Sequence, residues 1–173
     1  MATWNIDTSH SEVGFWVRHL MVTKVRGQFK QWQGSMTIDG DDLSTAKIRA
    51  EVQIDSIDTR EAKRDGHLKS PDFFDAANHA TMRFESSALA LKGDRGTLAG
   101  TLTIRGVSKP VTFEVTALGR AKDPWGGQRW AFEASTVINR KDFGLNWNQA
   151  LEAGGVLVGD EVHIDVQAQL VAA

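Results

Sequence analysis

The stretch Trp130-Ala131-Phe132-Glu133-Ala134-Ser135-Thr136-Val137-Ile138 decides the fold of this chain. Its large apolar residues Trp130 and Phe132 share one parity, while the polar residues Glu133 and Ser135 share the other. A period of two residues is typical of a β-strand with one buried face and one face in water. We therefore predict that this segment is a strand whose even-numbered residues face a core.

The same alternation recurs about eight times between Glu12 and Leu170. Residues 47–54 give another clean example, with isoleucine, alanine and valine alternating against charged and amide side chains. Eight such strands predict an all-β fold, an eight-stranded barrel-like sheet, in a single domain over residues 1–173. The interior of such a barrel is either filled by its own side chains or holds one small ligand, and periodicity does not choose between these.

Two regions break the strand pattern. Residues 59–69 predict a short helical insertion with Asp58 or Thr59 as its N-cap, and residues 139–155 form an irregular region that contains glycine and tryptophan. These regions are where we expect the opening of the barrel to be lined.

Composition excludes several classes of function. The chain has 41% apolar and 24% charged residues, and no stretch approaches the roughly 18 apolar residues of a membrane span, so we expect no integral membrane association. A net charge of -2 without a dense basic cluster argues against a nucleic acid partner. The first seven residues show neither a basic leader nor an apolar segment, so the expected location is the cytoplasm.

Catalytic and metal chemistry find little support in the residues. The chain has no cysteine, and its five histidines show no compact metal-ligand spacing, so we predict no metal site and no cofactor. Asp7, His10 and Ser11 are the residue types of a hydrolase triad, but residues so close together on an extended segment seldom converge. No Gly-x-Ser-x-Gly motif is present either, so we predict no catalytic residue.

Ordered blocks of sequence along nearly the whole chain form a recognisable set. The blocks are Trp4-Asn5-Ile6-Asp7-Thr8-Ser9-His10-Ser11, Phe15-Trp16-Val17-Arg18-His19-Leu20-Met21, Val25-Arg26-Gly27-Gln28-Phe29, Ser56-Ile57-Asp58-Thr59, Arg64-Asp65-Gly66-His67-Leu68-Lys69-Ser70-Pro71-Asp72-Phe73-Phe74, residues 100–111 and Ile138-Asn139-Arg140-Lys141-Asp142-Phe143-Gly144-Leu145. Together these blocks resemble the YceI-like, polyisoprenoid-binding family. The resemblance implies a lipocalin-like antiparallel barrel with a helical insertion, which encloses a long isoprenoid or similar amphiphilic lipid, and a possible homodimer. Members of this family are often exported to a periplasm behind a leader peptide, which contrasts with the cytoplasmic location expected above.

If a lipid tail enters the barrel, inward apolar residues would contact it, although the same residues could equally be plain core packing. The candidates for tail binding are Phe15, Val17, Met36, Ile54, Phe74, Met82, Phe84, Leu102, Phe113, Trp130, Phe132 and Trp147.

A polar head group would need hydrogen-bond donors at the mouth of the barrel. The candidates for head binding are Arg60, Arg64, Asp65, His67, Lys69 and Arg140. Helix capping, surface pairing, or a salt bridge that pins the insertion to the barrel would explain these residues as well.

The function predicted from the sequence is therefore that of a non-catalytic protein that carries or sequesters a lipid. One alternative is a filled barrel that acts as a protein-interaction module. The other is an enzyme that acts on isoprenoid or acyl substrates.

Overall fold

The structure, a computed structural model, describes residues 1–151 and 155–173. Residues 152–154, part of the irregular region predicted over 139–155, lie outside the described residues. Over the described residues the chain forms eleven strands and one α-helix. The strands are β1 (Ala2–Ile6), β2 (Glu12–His19), β3 (Thr23–Phe29), β4 (Trp32–Asp39), β5 (Asp42–Gln53), β6 (Ile57–Asp58), β7 (Thr81–Lys92), β8 (Arg95–Ile104), β9 (Val107–Lys122), β10 (Gln128–Asn139) and β11 (Glu161–Ala172), and the helix is α1 (Ala62–Lys69).

The strands close into the predicted antiparallel barrel. Eight of the described strands form the ring in the order β1-β4-β5-β7-β8-β9-β10-β11, and β1 pairs with β11 to close it. Strands β2, β3 and β6 continue the same sheet from β11. Strand β11 pairs with β1 near Leu170 and with β2 near Ile164, so β1 and β2 act as one interrupted strand along it.

The helical insertion is confirmed, but its predicted start is wrong. Helix α1 begins at Ala62, and its N-cap is Glu61, whose side chain accepts a hydrogen bond from the backbone N–H of Arg64. Thr59 instead lies buried beneath the helix, and Arg60 adopts a left-handed backbone conformation with a φ of 66° that no helix continues.

One end of the barrel, which we call the closed end, is plugged by aromatic side chains. The rings of Trp4 and Trp130 meet edge to face with centroids 5.4 Å apart, and Ile38 beside them is fully buried. The guanidinium carbon of Arg120 lies 4.7 Å from the centroid of the Trp130 ring, and Arg120 also pairs with Asp41. This packing seals the axis of the barrel at that end.

The opposite end, which we call the insertion end, carries α1, the β2–β3 turn and the segment between β10 and β11. Part of that segment is fastened to the end of β2. The N–H of Gly159 donates to the carbonyl of Arg18 at 2.9 Å, and the N–H of Leu20 donates to the carbonyl of Leu157 at 2.9 Å. The two regions that break the strand pattern also meet at this end, where the ring of His67 in α1 lies 4.6 Å from the ring of Trp147.

Substitutions at two glycines test this packing, because their effects on the free energy of unfolding should have opposite signs. A Cβ atom on Gly100 would lie 2.4 Å from the carbonyl oxygen of Glu85 and 2.5 Å from the ring of Phe84, whereas a Cβ on Gly66 in α1 would meet nothing within 4 Å. We expect Gly100→Ala to lower the free energy of unfolding by about 1–3 kcal/mol through overpacking. Gly66→Ala should raise it by about 0.5–1 kcal/mol, because alanine favours a helix interior more than glycine does. Urea denaturation of both variants checks this, and equal effects of the same sign would contradict the described packing.

Candidate functional site

An apolar cavity of about 160 Å³, which we call the inner cavity, lies within the barrel. The predicted tail-binding residues that line it are Met36, Met82, Phe84, Leu102, Phe113 and Phe132. They come from β4, β7, β8, β9 and β10, and each holds the inward parity that the alternation assigned to it. The barrel is therefore not filled by its own side chains.

A second cavity of about 230 Å³, the outer cavity, lies at the insertion end. Four further predicted tail-binding residues line it, namely Phe15, Val17, Phe74 and Trp147, together with Met82. The predicted head-binding residues Arg64, His67 and Arg140 also line it. Apolar walls and cationic side chains thus come together at the end where the sequence placed the opening.

The inner and outer cavities share part of their walls. Val13, Met82 and Ile164 line both of them. Val13 and Ile164 lie on the paired strands β2 and β11, and Met82 comes from β7. We call these three residues the junction, because an elongated ligand that occupied both cavities would pass between their side chains.

Two of the predicted tail-binding residues line neither cavity. Trp130 belongs to the aromatic plug at the closed end, and Ile54, which is 1% exposed, follows β5 in a short 3-10 turn. Both are inward and buried, as the alternation predicted, and both serve as core packing.

Two of the predicted head-binding residues, Arg64 and Asp65, both form hydrogen bonds with Thr59. Arg64 donates from Nε to the hydroxyl of Thr59 at 2.8 Å and from Nη2 to its carbonyl at 2.6 Å, while Asp65 accepts from the N–H of Thr59 at 2.9 Å. These hydrogen bonds, rather than the salt bridge considered from the sequence, pin α1 to β6. Within the described residues Nη1 of Arg64 makes no hydrogen bond, which leaves that atom for a ligand.

The remaining predicted head-binding residues divide between the cavity wall and the surface. His67 lies in the wall, where its ring meets Trp147 edge to face at 4.6 Å and its Nε2 atom is 2.8 Å from Asp72. Arg60 and Lys69 line neither cavity, and neither does Asp65. Of the six predicted residues, Arg64 and His67 are the ones whose positions suit a head group.

Arg140 serves a different purpose from the one predicted. Only 3% exposed, it donates from Nε to the carbonyl of Gly159 at 2.9 Å and from Nη1 to the carbonyls of Leu145 at 2.6 Å and Trp147 at 2.8 Å. Burial lowers the pKa of its guanidinium, and the charge of nearby Asp160 partly opposes this shift. Most of its donors are already bound, so Arg140 fastens the wall of the outer cavity.

Sequence reasoning missed two polar residues of the outer cavity, Arg18 and His19. Both lie at the end of β2, where residues 157–159 pair with the chain, as the bridge between His19 and Val158 shows. This pairing joins residues far apart in the sequence, and no local pattern reports it. The one sequence feature that could have pointed to Arg18 as a cavity residue was its position just before a turn.

A second polar cluster lies on β1 and the turn that follows it. Contrary to expectation, Asp7 and His10 do converge, because residues 8–10 form a 3-10 turn that brings Asp7 Oδ2 within 2.8 Å of His10 Nδ1. The hydroxyl of Ser9 lies 3.1 Å from the same ring nitrogen, whereas Ser11 donates to the carbonyl of Gln169. In a hydrolase triad the acid and the nucleophile meet opposite ring nitrogens, so this geometry does not match one.

The Asp7 cluster gives a pH prediction. Hydrogen bonds from Ser9, His10 and Arg129 hold the pKa of the Asp7 carboxyl well below its usual range. A lowered pKa in the folded state stabilises the fold above the unfolded pKa of about 4, and this contribution is lost as the pH falls further. Asp7→Asn should therefore lower the free energy of unfolding at pH 7 by about 1–2 kcal/mol and flatten its acid dependence. Denaturation between about pH 7 and about pH 2 checks this, and the exposed Asp94→Asn, the control, should leave the curve unchanged.

Neither a metal site nor a membrane-spanning helix is found in the described parts of the chain. Residues 1–151 and 155–173 contain no group of three or more histidine, aspartate or glutamate side chains placed to hold a metal ion. Among the same residues, no helix has the length and apolar character needed to cross a bilayer.

The fold and the site define a class of protein: a closed antiparallel barrel whose apolar cavities end at a mouth with cationic side chains. The chain belongs to the YceI-like domain family, which matches residues 4–170. A UPF0312 protein of Staphylococcus epidermidis is 38% identical over 170 residues, which cover 98% of this chain and 97% of that protein. The family assignment thus rests on nearly the whole sequence.

Solved structures support the same fold. The crystal structure of BcnA from Burkholderia cenocepacia is similar with a TM-score of 0.82 at 22% identity, over 95% of this chain and 98% of that one. A polyisoprenoid binding domain from Saccharophagus degradans, implicated in plant cell wall breakdown, is similar with a TM-score of 0.73 at 14% identity, over 98% of both chains. At these identities the comparison establishes the shared barrel.

Proposed function

We propose that this protein binds a long amphiphilic lipid, with an isoprenoid tail in the two cavities and a polar head at the insertion end. It carries or sequesters this lipid without changing it chemically. The observation that carries the proposal is that the inner and outer cavities share Val13, Met82 and Ile164 in their walls, and that cationic side chains line the outer cavity. The Saccharophagus degradans structure, described as a polyisoprenoid binding domain, supports this class of ligand.

The cavity sizes favour a ligand that spans both. Sites for small molecules usually enclose about 300–1,000 Å³. The inner cavity of about 160 Å³ and the outer cavity of about 230 Å³ each fall below that range, and together they enter it. A long, thin molecule fits this shape better than a compact one.

The energetics favour a long tail with few free rotations. Each methylene moved from water to an apolar wall contributes about 0.8 kcal/mol, so ten supply about 8 kcal/mol before costs. Immobilising the ligand costs several kcal/mol of binding free energy, so short tails bind poorly. Isoprenoid tails have rigid double bonds and lose less rotational entropy than saturated chains of equal length. The flexible thioethers of Met36 and Met82 adapt the wall to their branching methyl groups.

A phosphate or similar anionic head suits the outer cavity. Arg64 is exposed and lines that cavity, and the ring of His67 lies between those of Phe73 and Trp147 in its wall. Guanidinium groups bind phosphate through paired N–H donors, and Nη1 of Arg64 is uncommitted within the described residues. The head therefore rests against Arg64 while the tail enters past His67.

Extraction of natively purified protein with organic solvent, followed by mass spectrometry, tests the proposed function. We expect a prenyl lipid in stoichiometric amount. As a control, titration of stripped protein with a long prenyl alcohol should change the fluorescence of Trp147, and Trp147→Phe should lose that component. Repeated recovery of empty protein that takes up no prenyl alcohol would contradict the proposal and favour the protein-interaction alternative.

A further inference from the structure

The β2–β3 turn presents a continuous apolar tip to solvent. Leu20, Met21 and Val22 are 45%, 62% and 71% exposed. The other exposed large apolar residues of the described chain, such as Leu118, Trp125 and Val137, lie apart from one another in sequence. Isolated exposed apolar residues are ordinary on protein surfaces, but a contiguous group marks a contact site.

The tip is held in place at a conformational cost. Leu20 and Met21 have φ angles of 53° and 60°, in the left-handed region that bulky residues rarely adopt. The carbonyl of Val22 accepts a hydrogen bond from Arg18 Nη1 at 3.1 Å, and the N–H of Val22 donates to the backbone carbonyl of His19 at 3.1 Å. Glycine or asparagine would relieve the strain, so large apolar residues at these positions indicate a purpose other than forming the turn.

Cations surround the tip. Arg18, Lys24 and Arg26 are exposed on the outer face of the β2–β3 hairpin, where Lys24 Nζ lies 4.1 Å from the centroid of the Trp16 ring. On the neighbouring strand β11, a carboxylate oxygen of Glu161 lies 3.9 Å from Nε2 of His163, whose ring stacks on Trp16. Three cations beside an apolar tip, with a tryptophan beneath them, match the surface of a bilayer that carries anionic head groups.

The tip adjoins the mouth of the outer cavity. Arg18 and His19, which lead into the tip, line that cavity, and so does Leu157, whose carbonyl binds the N–H of Leu20. We propose that Leu20, Met21 and Val22 insert into the surface of an anionic lipid bilayer and bring the cavity mouth against it. A tail then moves between bilayer and barrel without crossing water, a purpose that rests on the proposed lipid-binding function.

Flotation of the full chain with vesicles tests this docking. One vesicle preparation is phosphatidylcholine alone, and the other mixes it in equal parts with phosphatidylglycerol. We expect the protein to float with the anionic vesicles, and the double substitution Met21→Ser and Val22→Ser to weaken this by about tenfold or more. Trp125→Ser removes an apolar residue that is 86% exposed in the β9–β10 turn at the closed end, and this matched control should bind like the unaltered protein.

A substitution of Lys24 tests the contribution of the cations separately from that of the apolar tip. Lys24→Gln should weaken binding to the anionic vesicles by about fivefold, with no change on phosphatidylcholine and a smaller effect at high salt. Unchanged flotation of the double variant would overturn the proposal. The proposal would also be overturned if the double substitution changed only the oligomeric state, because the tip would then be a contact between copies of this chain. Flotation does not depend on cargo, so docking without any extractable lipid would overturn the proposed function alone.

Discussion

Val13→Phe is expected to weaken the binding of long prenyl alcohols while short ones bind as before. Val13 is 7% exposed and lines both cavities, so a phenyl ring at this position closes the junction between them. The inner cavity is then lost to a ligand that enters through the outer one. About five methylene-sized groups excluded from it forfeit about 4 kcal/mol of gross burial, so we expect a loss in affinity of tenfold or more.

A chain-length series measures this effect. The dissociation constants of prenyl alcohols of increasing length are compared between the unaltered protein and the Val13→Phe variant, with Trp147 fluorescence as the signal. The unaltered protein should gain affinity with length until the inner cavity is full, whereas the variant should reach its plateau earlier. Val137→Phe adds the same ring on the outer face, where Val137 is 50% exposed, and should change nothing.

Overpacking at the junction also has a cost in stability. Inserting a larger side chain into a packed core usually lowers the free energy of unfolding by about 1–3 kcal/mol, so the variant is first checked by thermal denaturation. A folded variant with the same length dependence as the unaltered protein would show that ligands do not pass the junction. The two cavities would then be separate, and the single elongated site would be wrong.

Alternation along the strands predicted which residues face inward, but not how deep each one lies. Phe132 and Trp130 share one parity on β10, yet Phe132 lines the inner cavity while Trp130 plugs the closed end. Parity is a local property of one strand. Depth along the barrel axis depends on the register between strands, such as the pairing of Trp130 with Leu170, and this is set by contacts distant in sequence.

The polar half of the site was harder to predict for a related reason. Residue type suggested that Arg64, Asp65 and Arg140 were available for a ligand, but their hydrogen bonds to Thr59 and to Gly159 commit most of them to structure. Whether a charged side chain is free depends on its neighbours in space. The same limit concealed the convergence of Asp7 and His10, which requires a turn that the strand pattern did not indicate.

Replacing Arg140 is expected to give the largest loss of stability among the polar substitutions. Arg140→Met keeps most of the length of the side chain but leaves the carbonyls of Leu145, Trp147 and Gly159 without their donor. An unpaired buried polar group costs about 1–3 kcal/mol, and removing one member of a buried charged network costs about 3–5 kcal/mol. We therefore expect the free energy of unfolding to fall by about 3–5 kcal/mol in chemical denaturation.

Lys141 provides the matched control for this prediction. Its Nζ atom lies 3.4 Å from the same Asp160 carboxylate, but its side chain is 50% exposed, so Lys141→Gln should change the free energy of unfolding by less than about 1 kcal/mol. Comparable losses in the two variants would mean that the charge of Asp160, rather than the carbonyl network, makes Arg140 important.

The location of the amides that exchange faster in Arg140→Met distinguishes a fastening role for Arg140 from a general loss of core stability. The N–H of Leu157 donates to the carbonyl of Gln149 at 2.9 Å, and the N–H of Val158 donates to Asn148 Oδ1 at 3.0 Å. If Arg140 fastens this segment, hydrogen exchange at these two amides should accelerate more in Arg140→Met than exchange along β10. Because Leu157 and Val158 line the outer cavity, the same variant should lose affinity even for short prenyl alcohols, which Val13→Phe still binds. Uniform acceleration with unchanged short-chain affinity would instead assign Arg140 to the stability of the whole barrel.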